Sequence, residues 1–514
     1  MRSERREEEK RQRAVARGNR FFRILAVLYT LILAAFIGLL IWLNVLPPKY
    51  LYAIIAILIL VSVFIVPVMF SRYGVRKRKI AAAFFAVVLI AGFGVGSWYL
   101  ADTIDFIGDI TVAGSLIEVK EDYYVLVKRD AAYTEIGELA GCSVGTYMTS
   151  DAVYLEAKDD LQRTVRVEYK YIGDLGQMLD GLLAGGTDTV DETTGAVQFE
   201  EYQAVFISAA NYESLKSERA GLEDETRILY TVSVKAGEGE KAKSANVTKE
   251  AFNVYVSGLD VEGDIGTQSR SDVNMIVTVN PKTHEVLLTS IPRDYYVTLP
   301  SKGAQDKLTH SGLYGIQETI GAVEKMTGLT MNYYVKVNYS TVVKLVDAIG
   351  GVDVESPYTF TTHKMKGMPE LNGITFVEGT NHLNGKMALA FCRERASWVD
   401  GDMRRNENQQ LVLEAILKKV AGSSTILTSY TSILDAIRGN METNMSPDEM
   451  TSLVKMQLAD MPSWDISKTA LKGKNDSLPC YALGNAYAAV VDQDHEQIVK
   501  SADQIISLMH NGEK

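Results

Sequence analysis

The chain has 514 residues, 53 Lys and Arg against 64 Asp and Glu, and 47% hydrophobic residues. That length exceeds one usual core and predicts two or three domains. A net charge of −11 argues against a general nucleic-acid binder, whose affinity comes from neutralising phosphates, and three cysteines far apart in sequence make neither a disulfide framework nor a Cys/His metal site.

Taken in chain order, a tail of mixed charge over 1–23 comes first, then three apolar runs at about 24–46, 50–70 and 80–100, each long enough to cross a bilayer as a helix. The first run is too long for a signal-peptide core and is followed at once by the others. Basic residues crowd the tail and the 71–79 loop, whereas only Lys49 lies between the first two runs. The positive-inside rule therefore puts the amino terminus in the cytoplasm and everything after residue 100 outside. Residues 1–100 carry 15 Lys and Arg against 4 Asp and Glu, leaving 38 against 60 for the exterior. Any anion site out there must be local. The tail reads as a solvated segment drawn to anionic lipid, and DNA contact is not expected.

Residues 118–234 alternate strand-like segments (YYVLVKR, CSVGTYM, VRVEYKYI, YQAVFIS, RILYTVSV) with helices near 134–140, 173–184 and 210–218, an α/β pattern. This accessory domain resembles a lobe of an extracellular solute-binding protein, and its order suits either a ligand site or a spacer. Residues 235–251 read as a linker. A last domain, 252–514, opens with the strand NVYVSGLD, then a hairpin around Asn280-Pro281-Lys282-Thr283. Ser311 is expected to cap a helix carrying Ile316, Ile320 and Val323; YYVKVNY is a strand, and a helix over 340–349 stops at Gly350-Gly351 before the strand VDVES. The overall expectation is a mixed central sheet flanked by helices, preceded by a smaller α/β domain and three membrane helices. Helices over 425–438 and 446–459, the second opened by Ser446 and Pro447, close the reading.

The polar residues of this last domain carry the chemistry. FCRER reads as a short strand, so Arg393 and Arg395 share a face and Glu394 points away. In the following helix, whose apolar positions are Leu411, Leu413, Ile416, Leu417 and Val420, Arg405 and Gln409 stand one above the other near the amino-terminal end. Arginine forks beside free helix N–H groups suit phosphate. The competing reading is a set of surface salt bridges with Glu394, Asp400, Asp402 and Glu407. Asp260, Asp272 and Arg293 fall at strand ends, where α/β domains place chemistry, and paired carboxylates beside phosphate-binding arginines suit Mg²⁺. Cys392 reads as a core residue inside the strand, and a Cys142–Cys480 bridge would have to join two proposed domains.

GLD with SRSD, then LLTSIPRD, KLTH, IGGVDV, FCRERASWVDGD and MRRNENQQLVL, in that order over about 250–422, resemble the motifs of the LytR-CpsA-Psr family, enzymes that attach glycopolymers to the bacterial cell wall. Three amino-terminal spans and an extra domain are similar to the CpsA-type members associated with capsular polysaccharide, which points to a Gram-positive cell membrane. The resemblance implies a phosphotransferase that takes a glycan from a polyprenyl pyrophosphate carrier to a peptidoglycan sugar hydroxyl, with the polysaccharide-synthesis machinery as a possible partner. By motif position Asp260 and Asp272 are similar to its Mg²⁺ ligands; Arg293, Arg393, Arg395, Arg405 and Gln409 to its pyrophosphate binders, with Lys307 in the KLTH segment beside them. Asn408 stands where many members carry Arg. No general base is assigned. An apolar groove is needed for the prenyl tail, and helix 311–327 with the sheet offers Ile, Val and Met for groove or core alike. Two rivals remain at this stage: a pyrophosphatase acting on the same lipid, and a non-enzymatic transmembrane regulator or attenuator of polysaccharide synthesis.

Overall fold

The computed structural model describes residues 2–44, 46–71, 75–111, 118–190, 197–238, 241–259, 265–266, 268–363, 365, 367–422 and 429–512. The chain divides into two units, Met1–Asp109 with Pro447–Pro462, and Ile110–Ser446 with Ser463–Lys514.

In the first unit the apolar runs form the helices Arg2–Leu43, Pro48–Phe70 and Arg76–Ile110. Their stretches Asn19–Leu43, Pro48–Phe70 and Arg76–Ile110 are long and apolar enough to cross a membrane. Small residues let them approach one another: Ala26, Ala82, Ala83 and Ala86 are buried together with Tyr29, Met69 and Phe93. Tyr29 and Ser62 share a hydrogen bond of 2.8 Å, and Phe36 stacks on Phe93. Outward-facing Phe64, Leu60 and Ile57 suit a lipid solvent.

The second unit holds both α/β sheets. In the accessory part the strand order is Glu168–Tyr171, Ser143–Thr146, Ala204–Ser208, Glu118–Lys128, Thr226–Glu238. Alternation along the long strand sends Val125 and Val127 to one core and Leu126 to another, so both faces are covered. The helices Leu175–Ala184 and Ala209–Glu218 fall where the pattern put them; the 134–140 segment is only the 3₁₀ turn Ile136–Leu139. The helix Ala152–Thr164 was not anticipated, although Asp151 caps it and Tyr154, Ala157, Lys158 and Leu161 form its buried stripe. Within the linker segment, Lys243 pairs with Glu324 at 2.8 Å and the Ala245 N–H donates to the Tyr333 hydroxyl, fastening it to the last domain.

The last domain is built on a six-stranded mixed sheet in the order Met441–Thr443, Tyr333–Val337, Phe252–Leu259, Ser271–Asn280, Glu285–Ile291, Asp465–Ala470. Asn280 makes the hairpin turn by accepting the Lys282 N–H at 3.0 Å, as an Asx residue should. One face packs Tyr255, Ile276 and Leu287 against the helices Ile316–Thr327 and His495–His510. Val256 and Met275, one residue out of step, face a cavity on the other side. Helices Tyr339–Ala348, Gly385–Arg393 and Gly401–Ala421 cover that side around a separate core that includes Phe360, Phe376 and Phe391.

Three local expectations need correction. FCRER is not a strand: its first three residues end helix Gly385–Arg393, whose amphipathic run from Lys386 overrides the period-two reading, and Glu394 and Arg395 follow in the loop. Ser311 does not cap the next helix; that helix starts after Gly315, and the Ser311 hydroxyl turns back to the Leu308 carbonyl. Ile320 and Val323 are core, and the groove takes no residue from helix Ile316–Thr327. The segment after Pro462, left unread in sequence, supplies the parallel edge strand Asp465–Ala470, the hairpin Gly473–Cys480/Ala486–Gln493 and the terminal helix. Cys142 and Cys480 are free thiols, and Cys392, in a helix rather than a strand, lies on the cavity wall with burial pushing its thiol up to about 12.

Candidate active site

The cavity between sheet and helices encloses about 910 Å³. Asp272, Arg293, Lys307, Arg393, Arg395, Arg405 and Gln409 all line it. Asp260, next after the described end of strand Phe252–Leu259, lies outside the described residues. Two close approaches set the geometry. A Cβ on Gly312 would strike the backbone of Ser269 and Ser271, so glycine lets the short helix Leu308–Ser311 press against the start of Asp272's strand. A Cβ on Gly401 would strike the Arg395 carbonyl, so glycine lets helix Gly401–Ala421 begin against the arginine loop.

Charge is concentrated at one end. Arg293 Nη1 donates to Asp272 Oδ2 at 2.8 Å, and the Thr309 hydroxyl donates to Asp272 Oδ1 at 2.9 Å. Burial alone would raise the Asp272 carboxyl; Arg293, then Arg405 and Arg270, overcome this and hold it down to about 2. Arg293 is held firmly protonated, since Asp272 and Asp294 outweigh its burial. Arg405 goes the other way: burial and the like charge of Arg293 pull it below the usual guanidinium value. Asp402 sits among the cations, its Oδ1 3.0 Å from Arg405, 3.7 Å from Arg395 and 4.0 Å from Arg293.

These cations are incompletely paired. Arg293 Nε and Arg405 Nε and Nη2 are buried with no hydrogen-bond acceptor among the described residues: Asp402 is close to Arg405 Nη2 but misaligned, and Asp294 and Asp402 stand 3.5 and 4.0 Å from Arg293 Nε. A buried polar group left in this state costs about 1–3 kcal/mol, more when charged, so it marks a place for a ligand's oxygens. Arg393 is held differently, its guanidinium 4.3 Å from the Tyr339 ring centroid and its Nη1 3.0 Å from the Met368 sulfur. The surface salt-bridge reading fits Arg404, which pairs with Asp400 and Glu407, and holds in part for the cavity set, since half-exposed Asp402 pairs with half-exposed Arg395 and with buried Arg405. Glu394 turns inward, fully buried, to accept the His363 and Ser397 N–H groups.

Residues around this set complete helix and wall. Gln409 Nε2 reaches the Cys392 carbonyl at 3.4 Å, and Asn408, buried, donates to the Phe391 carbonyl at 3.0 Å, so it ties two helices together and does not line the cavity. Sequence reasoning missed Arg270, Asp294, Thr309 and His310, although all four stand inside the quoted SRSD, LLTSIPRD and KLTH segments, and weighed Asp402 only as a salt-bridge partner. It also missed Ser217 and Glu218, which bring the accessory domain into the wall; Glu218 accepts from Lys307 Nζ at 3.1 Å. Away from the charges the lining is apolar, with Val256, Met275, Val337, Val342, Leu389 and Ile416.

The fold is a mixed-sheet α/β domain whose cavity sets a cluster of guanidiniums beside an apolar lining. Comparison with known proteins gives the family. A model of the LytR_cpsA_psr family matches residues 224–504, more than half of the chain, and the chain belongs to that family. A curated relative from Bacillus mycoides (strain KBAB4), named polyisoprenyl-teichoic acid–peptidoglycan teichoic acid transferase TagU, is 37% identical over 215 residues, covering 41% of this chain and 67% of its own length. The Enterococcus faecalis protein of the same name is 35% identical over 220 residues, 42% of this chain and 69% of its own. Among solved structures, "TagT bound to LI-WTA" covers 53% of this chain and 97% of its own at 25% identity and a TM-score of 0.41.

Proposed function

We propose that this chain is a membrane-anchored phosphotransferase that moves a glycopolymer from a polyprenyl pyrophosphate carrier to a sugar hydroxyl of peptidoglycan. The observation that carries the reading is the set of unmatched guanidinium N–H groups on Arg293 and Arg405 at the head of an apolar cavity. A diphosphate ester supplies the missing acceptors, and a prenyl chain suits the Val, Leu and Met lining behind them. Family membership and the relatives' names support the same reaction class.

In this reading Arg293, Arg393, Arg395 and Arg405, with Gln409 and Lys307, grip the two phosphates and spread the charge that grows on the departing polyprenyl phosphate. Positioning and charge stabilisation of this kind dominate phosphoryl transfer. Asp402 must yield its place among the cations to the substrate. Mg²⁺ fits the donor set: Asp272 stays ionised, and its oxygens keep lone pairs beyond the bonds from Arg293 and Thr309. Among the described residues no group of three ligating side chains closes around a metal, so phosphate oxygens and water, with Asp260, would complete its shell, and the ion would neutralise phosphate charge. The three helices anchor the enzyme, with the cavity on the outer face of a Gram-positive membrane.

The test uses the full chain in lipid nanodiscs with a synthetic polyprenyl-pyrophosphate-linked glycan and peptidoglycan. Glycan covalently attached to the wall polymer is the expected product; glycan released into solution would replace transfer by hydrolysis. Running capsule-type and teichoic-acid-type donors side by side separates the capsular expectation from the substrate in the relatives' names.

A further inference from the structure

Several ionisable side chains of the cavity are left idle by the grip on the diphosphate, His310 and His363 among them. His310 lies on the single-turn helix Leu308–Ser311 at 1% exposure, yet it is one of the residues that line the cavity. Its Nδ1 is 2.7 Å from Asp306 Oδ1. Asp306 is itself fully buried and accepts the Lys307 N–H at 2.8 Å on the same oxygen and the Ala482 N–H at 2.8 Å on the other. A carboxylate held by donors on both oxygens is an acceptor, so the network assigns the ring proton to Nδ1 and leaves the Nε2 lone pair open. The bond to Asp306 at Nδ1 is the ring's hydrogen bond among the described residues.

The ring's position suits the reaction. Its neighbour Thr309 gives its hydroxyl to Asp272 and its N–H to the Arg293 carbonyl at 2.7 Å, so His310 is one residue from the diphosphate end of the cavity. Elements packed against the short helix bring Asp272, Tyr296, Asp306, Lys307, Tyr314 and Glu318 near it, and of these Asp306 alone bonds the ring. Glu318 is turned to the Ser301 N–H, and Lys307 Nζ to Glu218.

Resting on the transferase reading above, we propose that His310, oriented by Asp306, is the catalytic base that accepts the proton of the acceptor sugar hydroxyl. The hydroxyl O–H breaks toward Nε2 as its oxygen bonds the glycan-bearing phosphorus. The bond from that phosphorus to the bridging oxygen breaks, and its electron pair leaves on the polyprenyl phosphate. Asp306 stabilises the imidazolium, which then releases the proton to water.

The experiment compares wild type, His310→Gln and Asp306→Asn as full chains in nanodiscs, measuring donor affinity, kcat and the pH profile of kcat/KM. General-base loss of about 10²- to 10⁴-fold in kcat is expected for His310→Gln, with donor affinity within threefold of wild type. The wild-type acid limb of one-proton slope should vanish in the variant. A purely structural His–Asp pin would lower the melting temperature and leave the pH profile in place. Should His310→Gln fail to fold, Asp306→Asn decides: a kcat within threefold of wild type and an unchanged acid limb overturn the assignment. Wild-type transfer with His310→Gln undiminished overturns the base alone, whereas a wild type that moves no glycan overturns the transferase reading and this step with it.

Discussion

In the proposed transferase, Arg405 would stabilise a bound anion at the expense of the empty protein. Its charge is buried, depressed by its surroundings and short of acceptors. Replacing it with Met removes a buried charge short of acceptors but also a partner of Asp402 and Asp272, so the two effects oppose and the ligand-free melting temperature should change little. Transfer should fall about 10²- to 10³-fold, as when one oxyanion donor is removed. A variant that melts lower and still turns over would contradict both halves. Asp272 makes a prediction in pH. Its folded value, about 2, is below the ordinary carboxylate value, so its contribution is present above the unfolded value near 4 and is lost as pH falls through 2. Thermal melts of wild type and Asp272→Asn should differ at pH 6 and converge toward pH 2. At this scale much was legible. Arg393 and Arg395 were placed in one cavity by residue type, although the local reason, strand alternation, was wrong and a helix end with the loop after it delivers them instead. Thr309 stayed unread because its partner, Asp272, is far away in sequence; Arg270 and His310 have theirs close by, Asp272 two residues on and Asp306 four residues back, and were passed over within their segments.

Helix Gly401–Ala421 shows how an element can be read for its apolar half and misread for its polar half. Ile416 and Val420 pack as the periodicity requires, but the most buried positions toward its start include Arg405, Asn406, Asn408 and Gln410. Gln410 Nε2 donates to the Leu288 carbonyl at 3.0 Å and the Thr469 carbonyl at 2.6 Å, joining the helix to two adjacent strands. Truncation to Ala should cost about 1–3 kcal/mol, seen as an earlier denaturant midpoint. An unchanged midpoint would reduce these bonds to incidental contacts. The helix Ala152–Thr164 escaped notice because its sequence is polar and only four positions form the stripe, and the edge strand Asp465–Ala470 because it gains its place from parallel pairing with Glu285–Ile291, a partner far upstream.

At the scale of the whole molecule, the basic flanks predict that a reporter fused after residue 514 is active outside the cell, and a cytoplasmic signal would remove the enzyme from its substrates. The alternation of strands and helices gave both α/β sheets from sequence, but not how the accessory part meets the catalytic part. That junction is made by Lys302, whose ammonium is buried between Glu121 and Asp151 at 2.8 Å each. Burial lowers its proton affinity, and the two carboxylates more than restore it. Lys302→Met would strand those acids in the interior and should cost about 3–5 kcal/mol, read as a lower melting temperature and faster proteolysis at the junction.

The same lysine bears on how this protein can be dissected. Asp151 also caps helix Ala152–Thr164, so one carboxylate serves the fold of one part and its attachment to the other. Cutting out residues 118–234 to obtain a minimal catalyst would uncover an ammonium shaped to be enclosed and take Glu218 from beside Lys307. Inactivity of such a fragment would therefore be silent on whether the excised part recognises a ligand. Point substitutions on its outer surface, with the seam intact, are the cleaner way to ask what it recognises.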